Sequence, residues 1–179
     1  MAGEISILEA IAKLGEMTLA VKEAERLAME KATRIVQREA KREIGHYQDQ
    51  AGQFVAWAGL ADSTLADKDR KGYGVPDPLL RNGDMRDSIE RRVEQSGFLG
   101  VTEGAVGSDS DIAVYQELGT FGPHPGPNGQ HIQPRSFLGG AAFRKAEEVA
   151  EVLGSGVVAA LVGDKVHKGH LPISGGDND

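Results

Sequence analysis

Apolar residues recur at three- and four-residue steps through Ile7, Leu8, Ile11 and Leu14, the spacing that lines one face of an α-helix. Gly15 and Thr18 divide this run, and Thr18 is placed to cap a second, longer helix. That helix turns Val21, Ala24, Leu27, Ala28, Ala32, Ile35, Val36, Ala40 and Ile44 inward and stops at Gly45. At 1.5 Å per residue it spans about seven turns, near ~40 Å. Its outer face pairs Glu30 with Arg34 and turns basic at Arg34, Arg38, Lys41 and Arg42, where cations suit a helix C-terminus and solvent.

From 46 to 78 the periodicity fades. Trp57 stands alone, a charge cluster runs from Asp67 to Lys71, and Pro76 and Pro78 follow, so an irregular surface excursion is expected, one that assembly could order. Asn82-Gly83 signals a turn, Asp84 is placed to cap a short helical turn, and Ile89 to Val93 reads as a strand. The glycine-spaced stretch that follows predicts a hairpin with Phe98, Val101 and Val106 inward. Ser110 or Asp111 then caps a two-turn helix through Val114, Tyr115 and Leu118, with Gly119 as its stop.

Residues 119–134, rich in Pro and Gly, predict a projecting loop stiffened by its prolines. Residues 135–138 predict a short last strand, and Ala142, Phe143, Ala146, Val149 and Leu153 predict an amphipathic helix. A short apolar turn at Val157 to Val162 precedes a flexible tail at 164–179. The expected fold is α+β: a long N-terminal helix and a C-terminal helix packed on a small antiparallel or mixed β-sheet, with extended loops. Length places all of 1–163 in a single domain.

Composition narrows the function classes. Aromatics make up only 5% of the chain, so the core is aliphatic and a large aromatic ligand cage is not expected. The absence of cysteine removes disulfides, thiolate zinc sites and cysteine nucleophiles. No apolar run reaches the roughly 18 residues that a membrane span needs, and acidic residues stand where a signal peptide is basic. A soluble protein without a membrane partner is therefore expected. A net charge of −7 argues against a protein that grips duplex DNA, which requires clustered Lys and Arg.

Catalytic chemistry finds no anchor. His124 and His131 are separated by a Pro/Gly loop without an acidic residue, and no metal-site spacing surrounds them. His167 and His170 lie in the tail and read as solvated, while Asp109 and Asp111 read as helix-capping residues. There is no G-x-S-x-G elbow and no phosphate-cradling glycine motif. The expectation is a non-enzyme with no catalytic residue, cofactor or metal. Two other readings stand behind it: a small metal-dependent hydrolase using the 117–139 loop, and a cytoplasmic adaptor that pairs its long helix with a partner helix. Glu117 and Arg135 flank the loop, and a charge-assisted pair between them is expected to pin its two ends.

Two stretches carry a family resemblance. In PLLRNGDMRDSIERRV, the residues Leu80, Arg81, Asn82, Gly83, Met85, Arg86 and Ser88 are similar to a leucine-arginine-threonine/serine-glycine-x-leucine-arginine-x-serine segment, with Asn82 and Met85 departing. Farther on, Tyr115, Glu117, Leu118, Gly119 and Thr120, then Pro134, Arg135, Phe137 and Leu138, resemble a tyrosine-to-Gly-Thr segment and a Pro-x-Arg-Pro-Phe-Leu segment around a variable loop. Ser136 replaces the second proline. Together these resemble the tail-component families of long-tailed bacteriophages, the neck and tail-completion proteins, including the Mu-like virion morphogenesis group. Trp57, Leu60, Thr64 and Lys68 are similar to an insertion of that Mu-like group, and counting the N-terminal helices, which these families also have, the resemblance covers about residues 5 to 150.

The resemblance implies a structural virion protein of the head-tail junction: a neck, tail-completion or tail-terminator protein. It would be assembled in the bacterial cytoplasm into a ring through which double-stranded DNA passes without sequence-specific binding. Its partners would be copies of itself and the neighbouring connector and tail-tube proteins. A closed ring repeats one heterologous interface, and a projecting loop suits it. The candidate subunit-interface residues are Glu117, Gly119, Thr120, Phe121, His124, His131, Arg135 and Phe137.

Overall fold

The computed structural model describes residues 6–96, 100–120 and 131–162. The elements run α1 (Ile7–Glu43), α2 (Asp62–Arg70), α3 (Asp84–Asp87), β1 (Ile89–Ser96), β2 (Val101–Ser108), α4 (Asp111–Leu118), α5 (Leu138–Arg144) and α6 (Ala146–Leu161). β1 and β2 pair as a two-stranded antiparallel sheet, so the fold is α+β as the sequence predicts. No helix among the described residues is long and apolar enough to cross a membrane. Phe98 and the 164–179 tail lie outside the described residues.

The expected break at Gly15 and Thr18 does not occur, and α1 runs through both positions. Thr18 does not cap: its hydroxyl donates to the Leu14 carbonyl at 2.8 Å, a bond one turn back that a helix interior permits. The helix stops where expected, with Gly45 left-handed at φ 98° and its N–H donating to the Pro78 carbonyl at 2.8 Å. Glu30 pairs with Arg26 rather than with the predicted Arg34, and Arg26 also reaches Glu23 at 2.7 Å.

The chain divides into two compact units. One holds Thr33–Arg92 and Ala105–Glu147. Its core gathers Ala40 and Ile44 of α1, Trp57, Ile89 of β1, Ala113 of α4, Phe137 and Ala141, with Leu79, Leu80, Met85 and Val106 packed around them. Ile89 and Phe137 are fully buried, each contributing roughly 1.5–3 kcal/mol of hydrophobic stabilisation. Gln37 donates to the Ile89 carbonyl at 2.8 Å and ties α1 to β1. Arg144 donates to the buried Glu43 carboxylate at 2.6 Å and to the Asp49 carbonyl at 2.8 Å, fixing α5 against the end of α1. Burial pushes the Glu43 carboxyl up to about 7 despite that guanidinium.

Several local expectations are corrected within this unit. Residues 46–78 are not a wholly irregular surface excursion: they contain α2, place Trp57 in the core and bury Lys68. The N-cap of α3 is Gly83, in a left-handed conformation without a side-chain cap, and the Asp84 carboxylate instead accepts from Asn82 at 2.6 Å. Residues 135–138 form no strand, because the Arg135 N–H bonds the Gln116 carbonyl of α4 at 2.6 Å rather than a sheet edge. The single C-terminal helix is two, divided at Lys145, and the buried positions of α5 are Gly140 and Ala141, whereas Ala142 and Phe143 are exposed.

The other unit comprises the described parts of Met1–Ala32, Val93–Gly104 and Glu148–Asp179. Ala24, Ala28, Ala32 and Val152 are its buried apolar residues. Gln95 bridges from β1 to the Lys22 carbonyl and the Thr102 hydroxyl. Val101, expected inward, is exposed. Every residue of α1 from Ile7 to Ala20 is exposed, although Ile7, Leu8, Ile11, Leu14, Met17 and Leu19 are all large and apolar.

Candidate functional site at the loop base and cleft

Gly119 ends α4 at φ 71°, a conformation L side chains rarely adopt, and a Cβ there would stand 2.8 Å from the Ile132 carbonyl and 2.9 Å from Pro134. The backbone closes immediately beyond it. The Thr120 N–H donates to the Ile132 carbonyl at 2.8 Å, while the Ile132 N–H donates to the Thr120 hydroxyl at 2.7 Å. Nδ1 of His131 lies 2.8 Å from the Thr120 carbonyl. Short donor-acceptor pairs on both strands of the loop thus fasten its base at residues 119–120 and 131–132.

The expected Glu117–Arg135 pair is not made. Glu117 instead turns its carboxylate onto the start of α5, where the first N–H groups of any helix lack partners. It accepts from the backbone N–H of Phe137 and Leu138 at 2.8 Å each, from Gly139 at 2.9 Å, and from the Ser136 hydroxyl. A negative charge at that end also complements the helix dipole. Arg135 points the other way: one terminal nitrogen, Nη2, donates to the Ala58 and Gly59 carbonyls at 2.9 and 3.2 Å. Each residue finds backbone groups that need a partner, and those lie on opposite sides of the chain.

Beside the loop base lies a cleft of about 920 Å³, lined by 58–64 and α2, by the 77–85 segment, and by the returning chain from His131 to Arg135. One wall of it is strained. Leu79 sits at φ 61°, a left-handed conformation that costs a non-glycine residue on the order of 1–3 kcal/mol. Lys68 holds it there. Only 2% exposed, Lys68 sends its ammonium to the Asp77 carbonyl and to the Leu80 carbonyl at 2.7 Å, one on either side of Leu79. Burial lowers the Lys68 pKa, partly offset by Asp77. The next side chain, Arg81, reaches Asp67 at 3.3 Å and lies 5.9 Å from the Tyr73 ring centre.

The cleft therefore joins both segments that carry the family resemblance: Leu80, Arg81, Asn82, Gly83 and Met85 on one side, Arg135 with the loop base on the other. Of the candidate interface residues, Thr120, Arg135 and Phe137 are buried, Phe137 completely. Glu117 caps the start of α5, Gly119 sits in the loop base, and His131 lines the cleft. Phe121 and His124 lie outside the described residues. Lys68 was missed as a site residue because its acidic and basic neighbours read as a solvated cluster. Among the described residues, no three His, Cys, Asp or Glu side chains converge as metal ligands. Compared with protein-family models, curated proteins and solved structures, the chain shows no significant match to any of them.

Proposed function

We propose that this protein is a structural component of a bacteriophage head-tail junction, of the neck, tail-completion or tail-terminator kind, and acts by assembling into a ring. The observation that carries this reading is the meeting, on one cleft, of two sequence segments with separate resemblances to those families. A second feature supports assembly. The first four turns of α1 carry six large apolar side chains that their own subunit leaves exposed, with Glu9, Lys13 and Glu16 on the opposite side of the helix. A stable interface buries about 800 Å² per partner, and a helix face of this length supplies a large part of that area.

The neck and tail-tube proteins and further copies of this chain are the proposed partners, with virion location and cytoplasmic assembly in the host. An acidic subunit suits a channel through which DNA must slide, since no counterion release holds the duplex. Sedimentation and negative-stain electron microscopy of the purified protein, alone and with its connector and tail-tube neighbours, test the reading. Closed rings or a defined complex with those neighbours are expected. A monomer that binds neither, at tens of micromolar concentration, refutes it.

A further inference from the structure

We propose that the cleft beside the loop base receives a carboxylate, an Asp or Glu side chain on a segment of a partner protein, and that Arg135 reads it. This deepens the assembly reading above by naming the chemistry of one contact. Arg135 is 8% exposed and lines the cleft, yet no carboxylate pairs with it among the described residues. Both of its hydrogen bonds leave from Nη2 and end on backbone carbonyls. Its Nε is sealed from solvent without a partner, and Nη1 makes no bond to any described residue. A buried guanidinium normally offers a fork of donors to an oxyanion, and here that fork is incompletely used.

The Lys68 and Arg81 cations that line the cleft are already engaged. The Lys68 ammonium is spent on two backbone carbonyls, Arg81 faces Asp67 and the Tyr73 ring, and the Asp84 carboxylate takes the Asn82 amide. Desolvation lowers the Arg135 pKa, the direction expected of a cation whose counterion is missing.

A carboxylate is favoured over a phosphate by the lining itself. Asp77 and Asp84 repel a dianion more than a monoanion, and Leu60, Leu79, Ile112 and Ile132 suit the apolar neighbours of a peptide carboxylate. The chain's net charge of −7 disfavours nucleic acid, while a second copy would bring many carboxylates of its own.

The test uses the full chain labelled with ¹⁵N and follows by NMR the Arg135 side-chain Nε–H resonance in the native protein and the backbone amides of the cleft lining in the native protein and every variant. The probes are acetyl-Leu-Asp-Leu-amide, its Asn counterpart and inorganic phosphate. Expected is a saturable shift with the Asp peptide, at least tenfold weaker in Arg135→Gln, weakened by salt and absent with the Asn peptide. Arg135→Lys, which keeps the charge but loses the planar fork, should bind the Asp peptide several-fold more weakly while retaining the native amide spectrum. No response to the Asp peptide, or a stronger response to phosphate, overturns the proposal. Ring formation measured on the same samples by sedimentation tells loss of this contact from failure of the assembly reading.

Discussion

Replacing Glu117 by Ala removes one carboxylate that serves four donors at the start of α5. Three of those donors are backbone N–H groups at Phe137, Leu138 and Gly139, and Phe137 is wholly buried, so water cannot freely replace the lost acceptor. Loss of an ordinary N-cap costs about 1 kcal/mol, and hydrogen bonds to a charged group contribute about 1.5–3 kcal/mol each without adding fully. A destabilisation of about 3 kcal/mol follows. For a chain of this size that corresponds to a fall in Tm of roughly 6–12 °C. Thermal unfolding by circular dichroism measures the loss, and hydrogen exchange at the Phe137, Leu138 and Gly139 amides locates it. Glu117→Gln keeps the shape but sets an amide N–H₂ against the same donors, so it should recover less than half of the stability. An alanine variant that loses under about 0.5 kcal/mol, with those amides as protected as before, would refute the capping role.

Other perturbations reach neighbouring parts of the same framework. Gly119→Ala combines a left-handed φ with contacts under 3 Å and should lower the urea midpoint by an amount equivalent to about 2 kcal/mol or more; an unchanged midpoint would contradict the tight loop base. Lys68→Met leaves the Asp77 and Leu80 carbonyls unpartnered and should cost about 2–3 kcal/mol, with NMR shifts concentrated at 77–81; wild-type stability would show that Leu79 is held by something else. The Glu43 carboxyl, raised from 4.5 to about 7, holds its proton more tightly folded than unfolded. Stability from this group is thus full below about pH 4.5 and is lost as pH rises through about 7, by roughly 3 kcal/mol at most. Urea unfolding at pH 5 and pH 8 should show that loss in the native protein and little of it in Glu43→Gln, and equal losses in both would disprove it.

The local signals in the sequence were dependable where a helix or turn is decided by its own residues. The Ala-rich stripe through Ala24, Ala28, Ala32 and Ala40, the stop at Gly45, the strand from Ile89 and the two-turn helix ending at Gly119 are all legible, whereas the glycine-spaced stretch forms one strand, β2, that pairs with β1 rather than a hairpin of its own. What stayed hidden depended on distant partners. Lys68 reads as solvent-facing because an isolated lysine seldom enters an interior. Its burial becomes intelligible only once the carbonyls of 77 and 80 are folded onto it. Glu117 and Arg135 stand out in the sequence as charges flanking the loop, but they do not pair with each other; opposite charge is the only affinity visible in one dimension. Three unsatisfied N–H groups at α5 attract a carboxylate as strongly as a cation does, and they have no letter in the sequence. The exposure of the first four turns of α1 is equally unreadable, because periodicity marks an apolar face without saying whether the rest of the chain will cover it.

The closure at Thr120 and Ile132 has a practical side. Where two chain segments are bonded to each other, the length of chain between them matters little to the core, as a bracelet clasp makes the length of the chain immaterial to the wrist. Doubling the number of residues between the clasped ends adds only about 0.6 kcal/mol of closure entropy. An insertion between residues 120 and 131 should therefore leave the fold intact as long as the clasp at Gly119, Thr120 and Ile132 is left untouched.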